Sequence, residues 1–105
     1  MDRLTRRRAA KRKYSNKRNA WKRQFIARAK QRPCADCGVS YPHYMMDFDH
    51  VTLPKLFVIG NSYVSRSLEE VANEIEKCDV VCANCHRART WTRKNGDQTN
   101  LNLIE

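Results

Sequence analysis

The chain lacks any apolar run long enough to cross a membrane, and its longest uncharged stretches are short; a spanning helix needs about 20 apolar residues. Its basic N-terminal segment is never followed by the apolar core of a secretory signal, so export is not expected and a cytoplasmic location is. Acid is missing where it would balance the charge: residues 1–32 hold fourteen Lys/Arg against the single Asp2, a local +13. Repeats are absent beyond two cysteine pairs. At 105 residues there is room for one domain with a small core.

What is present is unevenly placed. Residues 33–105 carry seven Lys/Arg against ten acids, a local −3, while the whole chain is +10. A near-neutral domain therefore follows a strongly basic arm at 1–32. Such an arm seeks a polyanion, most commonly nucleic acid, and the interleaved Tyr14, Trp21 and Phe25 strengthen that reading over a solubilising tail or an anionic membrane contact. Arg6, Arg7, Arg8, Lys11, Arg12 and Lys13 are the expected phosphate contacts, on a segment 1–13 too charged to pack and expected to be disordered until it meets phosphate. "SNKRNAWKRQFIARAKQR" then predicts a helix capped by Ser15 or Asn16 and stopped by Pro33. Trp21 and Phe25, on one face, are expected to staple it to the domain.

Further along, "HYMMDFDHV" reads as a strand, and "KLFVIGN" as a short strand or extended loop ended by Gly60-Asn61. "SRSLEEVANEIEKC" predicts a helix with a Ser67/Glu70 capping box and a buried stripe of Leu68, Val71, Ala72 and Ile75. "DVVC" is short and β-branched. From Cys85 "HRARTWTRK" reads as a helix closed by Asn95-Gly96, and the tail 95–105 carries no clear signal.

Five cysteines in an intracellular chain argue for metal rather than disulfides. Cys34/Cys37 and Cys82/Cys85 are CxxC pairs, each placing two thiolates on one tight turn, and together they predict a closed, structural four-cysteine site for Zn2+. The pairs are separated by 44 residues, against the roughly 15–20 of a zinc ribbon. Zinc would thus tie together the ends of an insert with work of its own. Cys78 reads as a small apolar residue and not a fifth ligand.

Inside the insert lies "DFDH". On a strand Asp47 and Asp49 point one way and His50 the other, so Asp49 and His50 serve one cleft only if the strand ends or bends there. His86 follows the second cysteine pair at once, so the zinc would hold its position. If the strand runs beside the helix that carries His86, Asp49 and His86 could hold one divalent ion such as Mg2+ or Mn2+, leaving His50 free to act as general base on a water.

The combination "CADC", "DFDHV", a capped helix and "CANCHRART" resembles the HNH endonucleases of the ββα-metal (His-Me finger) superfamily, most of all small zinc-stabilised members common in bacteriophages. The likeness spans roughly residues 33–94. It implies a small α+β fold: an HNH core braced by the four-cysteine zinc site, with the basic N-terminal helical arm before it. It further implies that Asp49 and His86 are the catalytic metal ligands and His50 the general base. The product ends would be 5′-phosphate and 3′-hydroxyl. The middle residue of the motif does not match: Lys77 and Cys78 stand there, and either Asn84 takes the orienting role or the role is absent. Arg87, Arg89 and Arg93 are phosphate clamps or solvated surface. Asp47 orients a histidine or caps the strand, and His43 is a surface residue.

The expected activity is metal-dependent hydrolysis of DNA, nicking or cutting with little sequence preference, since no base-reading helix stands out. The resemblance extends to a packaging accessory in the host cytoplasm, acting beside terminase or other phage packaging proteins. The competing expectation is a non-catalytic zinc module that binds nucleic acid, which explains the cysteines and the arm but not the Asp-His pair.

Overall fold

A computed structural model describes residues 2–96. Helix α1 (Arg3–Ala29) leads to strand β1 (Met46–His50), then the one-turn helix α2 (Ile59–Ser62) and helix α3 (Leu68–Ile75); strand β2 (Cys78–Cys82) runs directly into helix α4 (Ala83–Asn95). The described residues thus form a small α+β fold with four helices and a two-stranded antiparallel sheet. No helix among them is long and apolar enough to cross a membrane. Most of the expected tail, residues 97–105, lies outside the described residues.

Helix α1 corrects the expectation of a disordered segment at 1–13. It begins at Arg3, where the Asp2 carboxylate accepts from the Thr5 N–H at 2.7 Å, and it passes through Ser15 and Asn16 without a break. Ala, Arg, Lys and Gln are strong helix formers, and neither Gly nor Pro occurs before Pro33. Cation pairs such as Arg3/Arg7 and Arg8/Arg12 oppose the helix by about 0.2–0.5 kcal/mol each, a repulsion that a bound polyanion would relieve. Residues 2–14 are exposed throughout.

The attachment of α1 also differs from expectation. Phe25 and Ile26 pack against Phe57, Ile59 and Val71, but Trp21 stays 68% exposed. Lys22, only 6% exposed, takes its place: Nζ donates to the carbonyls of Tyr63 and Val64 at 3.2 Å and to that of Arg66. Lys22, Phe25, Ile26 and Ala29 share the docking face at i, i+3, i+4 and i+7, and Trp21 falls on its flank. A buried ammonium persists here because three carbonyls replace its water.

Strands β1 and β2 pair in the register Met46↔Cys82, Phe48↔Val80, Asp49↔Asp79 and His50↔Cys78. One buried cluster joins Cys34, Met46, Val80, Val81 and Cys82; a second joins Phe57, Ile59 and Val71, and Phe48 packs against both. "KLFVIGN" forms no strand and ends in α2. The Ser67/Glu70 capping box of α3 is present in both directions at 3.1 Å. Val71 is fully buried as expected, but Leu68 is exposed. Helix α4 begins at Ala83, two residues earlier than the sequence suggests, and closes at Gly96 with φ 72°, a backbone conformation that glycine adopts without a Cβ clash.

Candidate functional site

The two CxxC turns meet. The sulfurs of Cys34, Cys37, Cys82 and Cys85 all lie within 4.8 Å of one another. The first turn closes through Gly38 N–H to Cys34 O at 2.9 Å and is tied to β2 by Ala35 N–H to Val80 O at 2.9 Å. Cys82 caps α4 by accepting from Cys85 N–H at 3.4 Å. A tetrahedral ion with about 2.3 Å Zn–S bonds fits this spacing. The sulfur chemistry fits as well. Burial opposes ionisation of Cys34, yet N–H groups of Cys37, Cys82 and Asp36 outweigh it and pull the thiol down to about 6. Burial and the other cluster sulfurs push Cys85 up to about 12. Thiols this crowded share out one negative charge poorly, and a dication resolves the conflict. Cys78 stands apart, half-buried, and burial followed by the Glu74 and Asp49 charges raises its thiol to about 11.

Beside this cluster is a cleft of about 660 Å³ lined by residues that include Asp47, Asp49, His50, His86, Arg93 and Lys30. The strand alternation is the expected one: Asp47 and Asp49 face α4, while His50 turns to α3. Both sides reach the cleft because β1 ends at His50. On α4, His86, Arg89 and Arg93 share one face at i, i+3 and i+7. His86 Nδ1 meets Asp47 Oδ2 at 3.0 Å, and its Nε2 lies 3.8 Å from Asp49 Oδ1. An ionised carboxylate only accepts, so Asp47 orients His86 through Nδ1–H, with Nε2 on the side of Asp49.

Glu74 is a member of the site that the sequence reading does not reach. It is 1% exposed, and its Oε2 accepts from His50 Nε2 at 2.9 Å and from Leu56 N–H at 3.0 Å, while Oε1 accepts from Lys77 Nζ at 2.9 Å. The proton of His50 therefore sits on Nε2, leaving Nδ1 as the basic nitrogen. A signal does exist: Glu74 is a charge on the apolar stripe Val71, Ile75, Cys78. Asn84 does not have the orienting position; it is exposed on the first turn of α4 and is not among the residues lining the cleft.

Arg89 is also placed differently from a phosphate clamp. Its guanidinium donates to Asp36 at 2.6 and 2.7 Å, to Asp49 at 2.7 Å and to Asp79 at 3.0 Å. It thereby joins the first cysteine turn to both strands and offsets the facing Asp49/Asp79 pair. Arg93 holds both Asp49 oxygens at 2.6–2.7 Å from the rim. Arg87 is exposed and outside the cleft, as is His43.

The two buried carboxylates make the fold acid-sensitive. Arg93, against the opposing effect of burial, and then Arg89 hold Asp49 down to about 2. For Glu74 burial is the largest influence and raises its pKa, but Lys77, the Leu56 N–H and His50 together bring it to about 2. A carboxylate depressed in the folded state stabilises it above its unfolded value, 4.5 for Glu74, and loses that contribution as pH falls toward 2. For Glu74 this is on the order of 3 kcal/mol. Urea midpoints are expected to fall below about pH 4.5, more steeply for the natural chain than for Glu74→Gln; parallel curves would remove Glu74 from this account.

Among the described residues, the four cysteines are the one group of three or more metal-ligating side chains whose atoms converge; Asp49 and His86 are a pair. Comparisons with protein-family models, with curated proteins and with solved structures find no match to this chain.

Proposed function

We propose that this protein is a metal-dependent DNA endonuclease of the HNH, ββα-metal type, with a structural zinc on Cys34, Cys37, Cys82 and Cys85. The observation that carries the reading is one cleft holding a carboxylate-oriented histidine, His50, and an Asp49–His86 pair 3.8 Å apart. Two ligand atoms about 2.1 Å from one ion stand roughly 3–4 Å apart, so the pair fits a divalent cation, and the Asp47 hydrogen bond to His86 is the usual support of a metal-binding imidazole. A Mg2+ or Mn2+ ion there would supply charge neutralisation at the scissile phosphate and the leaving oxygen. His50 Nδ1 takes the proton of the attacking water. Glu74 holds the ring and stabilises the imidazolium that forms. Lys30, Lys55 and Arg93 line the same cleft and attract phosphate oxygens.

One observation favours the competing reading of a non-catalytic zinc module: Arg89 and Arg93 occupy both oxygens of Asp49, and their charge disfavours a cation beside it. The two readings separate on supercoiled plasmid incubated with the natural chain or His50→Ala, at equal zinc content, with Mg2+ or Mn2+. Nicking by the natural chain alone supports the nuclease. Equal nicking by both, or none with either ion, would sink it.

The arm belongs to the same reading. Removing residues 1–13 deletes six Lys/Arg at 6–8 and 11–13 together with Arg3, and is expected to weaken duplex binding and flatten its dependence on salt. Because these residues are exposed, the melting temperature should stay within a few degrees. An unchanged salt slope in anisotropy titrations would place the DNA elsewhere.

A further inference from the structure

Helix α1 bears twelve Lys/Arg and no acid between Arg3 and Ala29, yet two of its aromatics, Tyr14 and Trp21, are each 68% exposed. Tyr14, Arg18 and Trp21 fall at i, i+4 and i+7, on one face. The Arg18 guanidinium lies over the Tyr14 ring at 6.0 Å. Tyr14, Lys17, Arg18 and Trp21 line a hollow of about 350 Å³. Arg18 and Trp21 also wall a groove of about 600 Å³ that continues past Val64, Arg66 and Leu68. The face is thus a continuous track of π-surfaces and cations running from the arm onto the domain.

Cations alone would serve a duplex, whose phosphates are outside and whose bases are stacked within. Exposed rings add nothing there. They gain stacking energy from bases that are free to turn outward, as in single strands. We infer that the Tyr14–Arg18–Trp21 face binds unpaired nucleotides of single-stranded DNA. The nuclease proposed above would then act on DNA with a single-stranded segment, such as an overhang or an opened duplex. This inference rests on the nucleic-acid part of that reading but not on its catalytic part. Trp21 is available for this role because Lys22 and Phe25, not Trp21, attach α1 to the domain.

The test is fluorescence anisotropy with the full zinc-loaded chain and no Mg2+ or Mn2+, using labelled oligo-dT, a labelled duplex of equal length, and heparin, which carries charge but no base, as competitor. Trp21→Ala is expected to lower the ratio of single-strand to duplex affinity about tenfold or more, while Trp21→Phe, which keeps a π-face, retains most of it. The heparin concentration needed to displace duplex should not change. An unchanged ratio in Trp21→Ala, or a fall shared equally by oligo-dT and duplex, overturns the platform and leaves duplex binding standing. Failure of the natural chain to bind either DNA overturns both the platform and the nucleic-acid reading.

Discussion

Withdrawal of zinc is expected to unfold residues 33–96 outright, not merely to silence an activity. The buried apolar side chains among the described residues are Cys34, Met46, Phe57, Ile59, Val71, Val80, Val81 and Cys82, and two of these are themselves cluster sulfurs. A core of this size leaves a small domain marginal without a metal or another staple. A structural zinc adds about 10–16 kcal/mol of apparent binding free energy to the folded state. Held by the four cysteines, it would close a loop of 44 residues between Cys37 and Cys82. Thermal melts followed by circular dichroism should show a cooperative transition with one equivalent of Zn2+ and none after chelation, and Cys82→Ser should resemble the chelated chain. A zinc-free chain melting at the same temperature would refute the structural role.

The second large effect is expected at His50 and its support. His50→Ala should slow plasmid nicking by about 10²–10⁴-fold, the usual contribution of a positioned general base. Glu74 keeps two donors, the Leu56 N–H and Lys77 Nζ, so the fold and zinc content of that variant should survive. Glu74→Gln tests the orienting role by a different route. Glutamine has one acceptor oxygen where Glu74 uses two. If that oxygen faces His50 and Leu56, the amide NH2 confronts the Lys77 ammonium; if it faces Lys77, the NH2 meets His50 and favours the other tautomer. Both arrangements cost stability, and the second removes the basic Nδ1. A fall of about 10²-fold or more in kcat with little change in KM is expected. Full nicking by Glu74→Gln would leave Glu74 as a structural residue alone.

How much of this is legible in advance follows the range of the interactions. The Ser67/Glu70 box and the two CxxC turns are set within three residues of one another and stand in the sequence as they stand in the fold. The face assignment of Asp47, Asp49 and His50 is likewise local, since a strand alternates. Residues 1–13 depart from expectation because helix propensity outweighs net charge there: a run of Arg, Lys and Ala with no glycine or proline continues a helix wherever a cap such as Asp2 starts it. Trp21 departs because i, i+4 spacing says which residues share a face, not which of two adjacent faces is docked.

Composition and spacing alone determined the basic arm, the four-cysteine cluster and the Asp-His pair at a strand end, because each depends on residues close in sequence or on charge counted along it. Only the tertiary structure decided that Glu74 holds His50 across 24 positions, that Asp47 holds His86 across 39, and that Arg89 ties Asp36, Asp49 and Asp79 together. A carboxylate acquires its partner from whatever packing brings within about 3 Å, and that choice is made by the docking of α3 and α4 on the sheet.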